Sequence, residues 1–315
     1  MTATPDLDLP SPLLSPLSSP LSSPSPLGRI RAVTLGCPSL ATAEAVYVAA
    51  LGYRVVERGA LPAALAAAWQ APAVAGAPYA VLAPQSGEET YLRFVEVPGV
   101  APFAPYSAYG WNAIELTVED CDAAVARLAE GPFTVVGPPE DLAFSEGALR
   151  AGQLVGPLGE IIYLTQVRRQ MPGFELPPAR SFVDRVFIMV LHGSAAQPGL
   201  DHYAATFGNP ASAIFDVTVP FMAVYQGLPP DHPYRIGTLV LGAGFYLEMD
   251  NSPAHIGPRV APAGGLPPGI AMVSFEVAEP QLGGVAAEGA IYAGRTARRV
   301  AGAFGEWLEL LAPVV

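Results

Sequence analysis

One short pattern recurs along this chain and limits what it can fold into. Gly305-Glu-Trp-Leu-Glu-Leu-Leu311 is a glycine followed by a half-buried strand. Trp307, Glu309 and Leu311 point to one face and Leu308 and Leu310 to the other. Three other stretches have the same shape: Thr90-Tyr-Leu-Arg-Phe-Val-Glu96, Gly159-Glu-Ile-Ile-Tyr-Leu-Thr165 and Gly244-Phe-Tyr-Leu-Glu-Met-Asp250. Their central polar residues are Arg93, Tyr163, Glu248 and Glu309. An ionised carboxylate between two large apolar neighbours avoids dry surface unless something partners it. Each recurrence therefore marks both a buried strand and a candidate site.

Each stretch closes a similar run of elements. Ile30 to Leu35 alternates as a strand. Ala43 to Tyr53 reads as a helix with Val46, Tyr47, Ala50 and Leu51 on one face and Gly52 as its cap. Strands follow at 54–57, 79–82 and 91–97, with a short alanine-rich helix over 60–70. The order returns from Trp111 to Thr165, with a helix over 122–128 opened by acidic residues. It returns again from Phe182 to Met249, and a last time from Ile270 to Leu311. A weak helix is expected there near 280–287, because Pro280, Gly283 and Gly284 interrupt it. The fold class is α+β: four βαβββ units forming two paired-unit, cup-shaped mixed β-sheet modules. Taken in chain order, the first module covers 29–168 and the second 182–315, with a Pro/Gly-rich linker at 169–181. Residues 1–28, built from Ser, Pro and Leu, read as a disordered or extended arm.

A chain of 315 residues, 51% hydrophobic, can fill two such modules. The formal charge of −12 disfavours nucleic acid and anionic membrane as partners. No uninterrupted apolar run is long enough to span a bilayer. The two cysteines, Cys37 and Cys121, have neither metal nor redox spacing and read as reduced thiols, which points to a cytoplasmic setting. A composition rich in Ala, Gly and Pro suits a GC-rich bacterial genome. The expected partner is a small-molecule substrate, with a homodimer left open.

Ala43, Val46-Tyr47 and Leu51-Gly52-Tyr53 resemble the Ala-x-x-Phe-Tyr-x-x-x-Leu-Gly-Phe pattern of the vicinal oxygen chelate superfamily, which holds glyoxalase I, bleomycin-resistance proteins and extradiol dioxygenases. His202-Tyr203 and Phe207-Gly208 echo it, and Gly156-Pro157-x-Gly159 is similar to the family's Asp-Pro-x-Gly turn without the Asp. The resemblance covers about 29–312. It implies a divalent metal held by His and Glu on the first and last strands of paired units. Here those positions carry Ala32, Arg93, Ala113 and Tyr163 in the first module, and Arg185, Glu248, Ala271 and Glu309 in the second. Alanine and arginine cannot ligate, and an iron site of two histidines and a carboxylate is not available. The expectation is no catalytic metal and no cofactor. His192, His202, His232 and His255 show no ligand spacing.

Two site readings follow. In the first module Arg93 would clamp an anion, and Glu115 or Tyr163 would move a proton, with Tyr91 and Trp111 binding substrate and Tyr106 and Tyr109 walling the pocket. In the second, Arg185, Glu248 and Glu309 would form one buried cluster that contacts substrate or fixes the core. Together they suggest a metal-independent lyase or isomerase acting on a small aromatic or apolar carbonyl compound. The alternatives are a protein that sequesters a hydrophobic small molecule, as the resemblance to bleomycin-resistance proteins implies, and a metalloenzyme with other ligands.

Overall fold

The computed structural model describes residues 26–171, 174–279 and 284–314. The first unit runs β1 (Leu27–Cys37), α1 (Leu40–Leu51), β2 (Arg54–Ala60), α2 (Ala63–Ala68), β3 (Pro78–Ala83) and β4 (Tyr91–Glu96). Local chemistry sets its first helix: the Ser39 side chain accepts from the Thr42 amide at the N-terminus, and Gly52 closes the other end at φ 68°, its N–H bonded to Val48 O. The second unit runs β5 (Gly110–Val118), α3 (Cys121–Ala129), β6 (Thr134–Asp141), β7 (Leu149–Val155) and β8 (Ile161–Val167). The third holds β9 (Val183–Gly193), α4 (Ala196–Phe207), β10 (Phe215–Thr218), α5 (Pro220–Tyr225), β11 (Pro233–Gly242) and β12 (Phe245–Asn251). The fourth holds β13 (Ile270–Val277), β14 (Val285–Ala286), β15 (Arg295–Ala301) and β16 (Trp307–Pro313).

These strands form two curled, mixed eight-stranded sheets, so the expected α+β class and pair of cup-shaped modules are found. The composition of the cups differs from chain order. One sheet runs β14-β15-β16-β13-β1-β4-β3-β2 and the other β10-β11-β12-β9-β5-β8-β7-β6. Unit 1 therefore pairs with unit 4, through antiparallel β1 and β13, and unit 2 with unit 3, through antiparallel β5 and β9. Alternation in a strand fixes which face is buried. It does not fix which of several similar edges the strand pairs with.

Chain-order neighbours are joined in another way. Tyr47 on α1 donates its hydroxyl to Glu160 of the second unit, and Tyr203 on α4 donates to Glu306 of the fourth. The recurrent tyrosine of the helix and the glutamate after the tight turn are thus one repeated buried contact. Gly159 shows why that turn needs glycine: its φ is 87°, and a Cβ would lie 1.8 Å from Phe103 O. The faces of the sheets that carry Phe94, Ile114, Met189 and Leu310 pack with α1, α3 and α4 into one shared core. The opposite faces form the two cups.

Three expectations need adjustment at element level. Leu27 and Gly28 belong to β1, while 1–25 of the expected arm lie outside the described residues. The expected helix near 280–287 falls partly on 280–283, outside the described residues, and Val285–Ala286 is strand. The stretch Pro220–Tyr225, unassigned in the sequence reading, is a helix. Among the described residues no helix is long and apolar enough to cross a membrane.

Candidate functional site

Register places the inner face of the unit 1–unit 4 cup. Thr34 lies beside Arg93, and Ser274 beside Glu309. All four side chains are buried. Arg93 Nη2 lies 2.9 Å from Glu309 Oε2, its Nη1 donates to the Tyr292 hydroxyl at 2.6 Å, and its Nε and Nη2 donate to Thr34 Oγ1. Glu309 also accepts from Ser274 Oγ at 2.5 Å, Trp69 Nε1 at 2.7 Å and the Tyr292 hydroxyl at 3.2 Å. Trp69, just past α2, lays its ring against the Arg93 guanidinium at 4.4 Å. Both charges have partners on every side, and Leu65, Ala66 and Trp69 fill the cup above them. This is a structural ion pair with its hydrogen-bonding capacity taken up.

The unit 2–unit 3 cup is different. Glu115 faces Tyr163 across β5 and β8, and Glu248 stands opposite Val190 on β9. Asp250, two residues along β12, lies opposite His192. Tyr106, Tyr234 and, from α5, Phe221 and Met222 close over this face. Burial, then Glu248 and Asp250, push the Glu115 carboxyl well above the usual range. Burial, then Asp250, do the same to Glu248, and burial lifts Asp250 to about 8. Arginines offset none of the three. Several buried polar atoms have no hydrogen-bond partner, among them Tyr106 Oη, Thr117 Oγ1, His192 Nε2, Gln226 Nε2 and Asp250 Oδ1. His192 Nε2 lies 3.1 Å from Asp250 Oδ2 but out of hydrogen-bond alignment. Proximity favours a charged pair and burial a neutral one. Burial wins and holds His192 down at about 3 with help from Arg259.

The expected site residues are thus divided differently. Glu115 and Tyr163 do meet, but Arg93 and Tyr91 belong to the other cup. Arg93 is held by Glu309, not by Glu115. The expected Arg185–Glu248–Glu309 cluster does not form. Glu248 and Glu309 lie in different sheets. Arg185 makes its contacts outside the cup. Its Nη2 donates to the carbonyls of Ala243 and Gly244, and its guanidinium lies 4.2 Å over Phe245. A register shift between Trp111 and Ala113 turns Trp111 out of the cup as well; its Nε1 donates to Trp307 O across the sheet junction. Tyr109 also lies at that junction, where a surface recess opens, apart from the carboxyls of either cup. Sequence reasoning missed Asp250 and His192. Asp250 had a usable signal, since it shares the strand face of Glu248 two residues away. His192 had none, because it shows no ligand spacing to the other histidines and its place in the cup comes only from β9, which runs to Gly193.

No protein-family model matches the chain, and no curated protein matches it. Solved structures do. Glyoxalase I from Zea mays superposes with a TM-score of 0.59 over 90% of this chain and 92% of its own, at 12% identity. A Bacillus subtilis protein provisionally assigned as a dioxygenase gives 0.57 over 93% and 87%, at 10% identity. The chain shares the fold of these two structures, the kind of fold that the sequence resemblance implied. At these identities the likeness speaks for fold alone. The metal typical of vicinal oxygen chelate proteins can be tested against the donors present. Among the described residues no three His, Cys, Asp or Glu side chains converge as a metal site. In the unit 2–unit 3 cup, β5 offers Glu115, β12 offers Glu248 and Asp250 and β9 offers His192, but no three of these converge on one point, and β8 offers only Tyr163. In the other cup the oxygens of Glu309 are already taken. These residues do not fit a divalent ion.

Proposed function

We propose that the protein is a metal-independent enzyme in which the unit 2–unit 3 cup performs general acid–base chemistry on a small aromatic or apolar carbonyl compound, as a lyase or isomerase. The observation that carries this reading is the contrast between the cups. One neutralises its own charges, while the other keeps three carboxyls, buried at Glu115 and Asp250 and half-buried at Glu248, with raised proton affinity and no cation. A carboxyl with a pKa near working pH can both take and return a proton. Asp250, at about 8, suits that task beside a neutral His192. Glu115 and Tyr163, adjacent in register, are proton donors placed for a carbonyl oxygen. The aromatic wall of Tyr106, Phe221 and Tyr234 suits an apolar substrate body. Two buried free thiols support a reducing, cytoplasmic setting.

The test is α-proton exchange into D2O over a panel of small aromatic and aliphatic carbonyl compounds. Glu115→Gln, Tyr163→Phe and Asp250→Asn should each lower exchange by ~10²–10⁴ while ligand still binds. Exchange that survives all three in folded protein defeats the proposal. Binding without exchange in the parent protein favours sequestration, for which the same aromatic wall would serve.

A further inference from the structure

The junction of the two sheets holds a recess that the acid–base reading does not use. Its space is about 40 Å³, a few times what one water requires, and Trp111, Ile270, Phe304 and Trp307 form much of its lining. Arg259 enters it from the segment that joins β12 to β13. That segment is pinned to the second unit, where the Tyr109 amide donates to Gly257 O. One side of the guanidinium is occupied: Nη1 donates to Pro268 O and Ile270 O, and the plane lies 3.9 Å over the Phe103 ring. The other side is not. Nε and Nη2 are buried and have no hydrogen-bond partner.

Those two N–H groups are parallel donors on one edge of a guanidinium, spaced to meet the two oxygens of a carboxylate. The same edge holds a carboxylate twice elsewhere in this chain. Arg58 Nε and Nη2 donate to the two oxygens of Glu44 at 2.8 and 2.6 Å, and Arg150 Nε and Nη2 to those of Asp122 at 2.7 and 2.8 Å. Glu306 also lines the recess, but its Oε1 accepts from the Tyr203 hydroxyl and its Oε2 from the Phe304 amide. It accepts nothing from Arg259 Nε or Nη2. A half-buried cation with two covered, unused donors loses hydration at those donors without replacement unless an anion comes in. Burial accordingly lowers Arg259 to about 9, with no carboxylate offsetting it. Gly110 helps keep the space open, since a Cβ there would lie 3.8 Å from Arg259 Nε and Cζ and 3.7 Å from Glu306 Cβ.

The geometry points to a binding site for a small monocarboxylate at this junction, held side-on by Arg259 Nε and Nη2 with its apolar end against Trp111, Phe304 and Trp307. The site lies outside both cups and stands whether or not the acid–base proposal holds. The experiment titrates the full chain with acetate and, in parallel, with neutral acetamide at constant ionic strength, reading melting temperature and magnetisation transfer to the ligand methyl group. Acetate should give saturable stabilisation and transfer, and acetamide neither. Arg259→Gln should weaken acetate binding at least tenfold. Arg259→Lys, which keeps the charge and loses the fork, should weaken it too and serves if the glutamine variant does not fold. Arg58→Gln, on the surface, should bind acetate like the parent. Equal responses to acetate and acetamide, no transfer to acetate in the unmodified chain, or undiminished binding in a folded Arg259 variant would overturn the proposal.

Discussion

Glu309 and Glu115 are both carboxyl groups on the inner face of a cup, and their neighbours give them opposite characters. Glu309 is wholly buried and accepts from Arg93, Ser274, Trp69 and Tyr292. Glu115 has one long contact, from Thr165 Oγ1 at 3.4 Å. Removing one side of a buried ion pair leaves the other charge without compensation and costs about 3–5 kcal/mol. Arg93→Met should therefore destabilise by about that amount in denaturant unfolding, with Glu309→Gln costing less because the arginine keeps Thr34 and Tyr292. A parental midpoint for Arg93→Met would show that the pair adds nothing. Part of this was legible in the sequence. A glutamate between Trp307 and Leu311 demands a partner, and Arg93 and Glu309 were both singled out as inward polar residues. Their joining was not legible, because it depends on which sheet edges meet.

At the level of elements, the two cups differ through their covering helices. α2 lies between β2 and β3, and α5 between β10 and β11, at corresponding places in units 1 and 3. The chain leaving α2 brings Trp69 and an indole donor to Glu309. α5 brings Phe221 and Met222, which cover the carboxyls of its cup without bonding them. The strands and main helices were readable because period and capping act locally: Gly52 marks a helix end that the structure reproduces. α5 escaped because six residues beginning with proline carry too little period to register. The inward direction assigned to Trp111 failed because one register shift reverses the face of every residue beyond it.

For the whole molecule, the pairing of unit 1 with unit 4 and of unit 2 with unit 3 gathers the unpaired acids into one module. This has a consequence for stability. Groups whose folded pKa is raised bind more protons folded than unfolded, so they stabilise most below the unfolded value and lose that contribution as pH rises through the folded one. Asp250 at about 8 and Glu160 at about 7 act this way, as do Glu115 and Glu248. His192, held at about 3, has the opposite sign, but its effect is complete above the usual histidine range. Between pH 6.5 and 8 the acids dominate, and stability should fall as pH rises, by up to about 1.4 kcal/mol per pH unit for each group still protonated. A flat or rising melting temperature across that window would count against raised carboxyl pKa values. The most direct measurement of the central claim is a side-chain carboxyl ¹³C titration comparing the parent with Glu115→Gln, Asp250→Asn and Glu309→Gln. The account predicts protonated carboxyl signals at pH 7 that disappear in the first two variants and are unchanged in the third. If Glu115 and Asp250 instead titrate near pH 4 like exposed acids, the unit 2–unit 3 cup is not a poised acid–base site and the functional assignment fails.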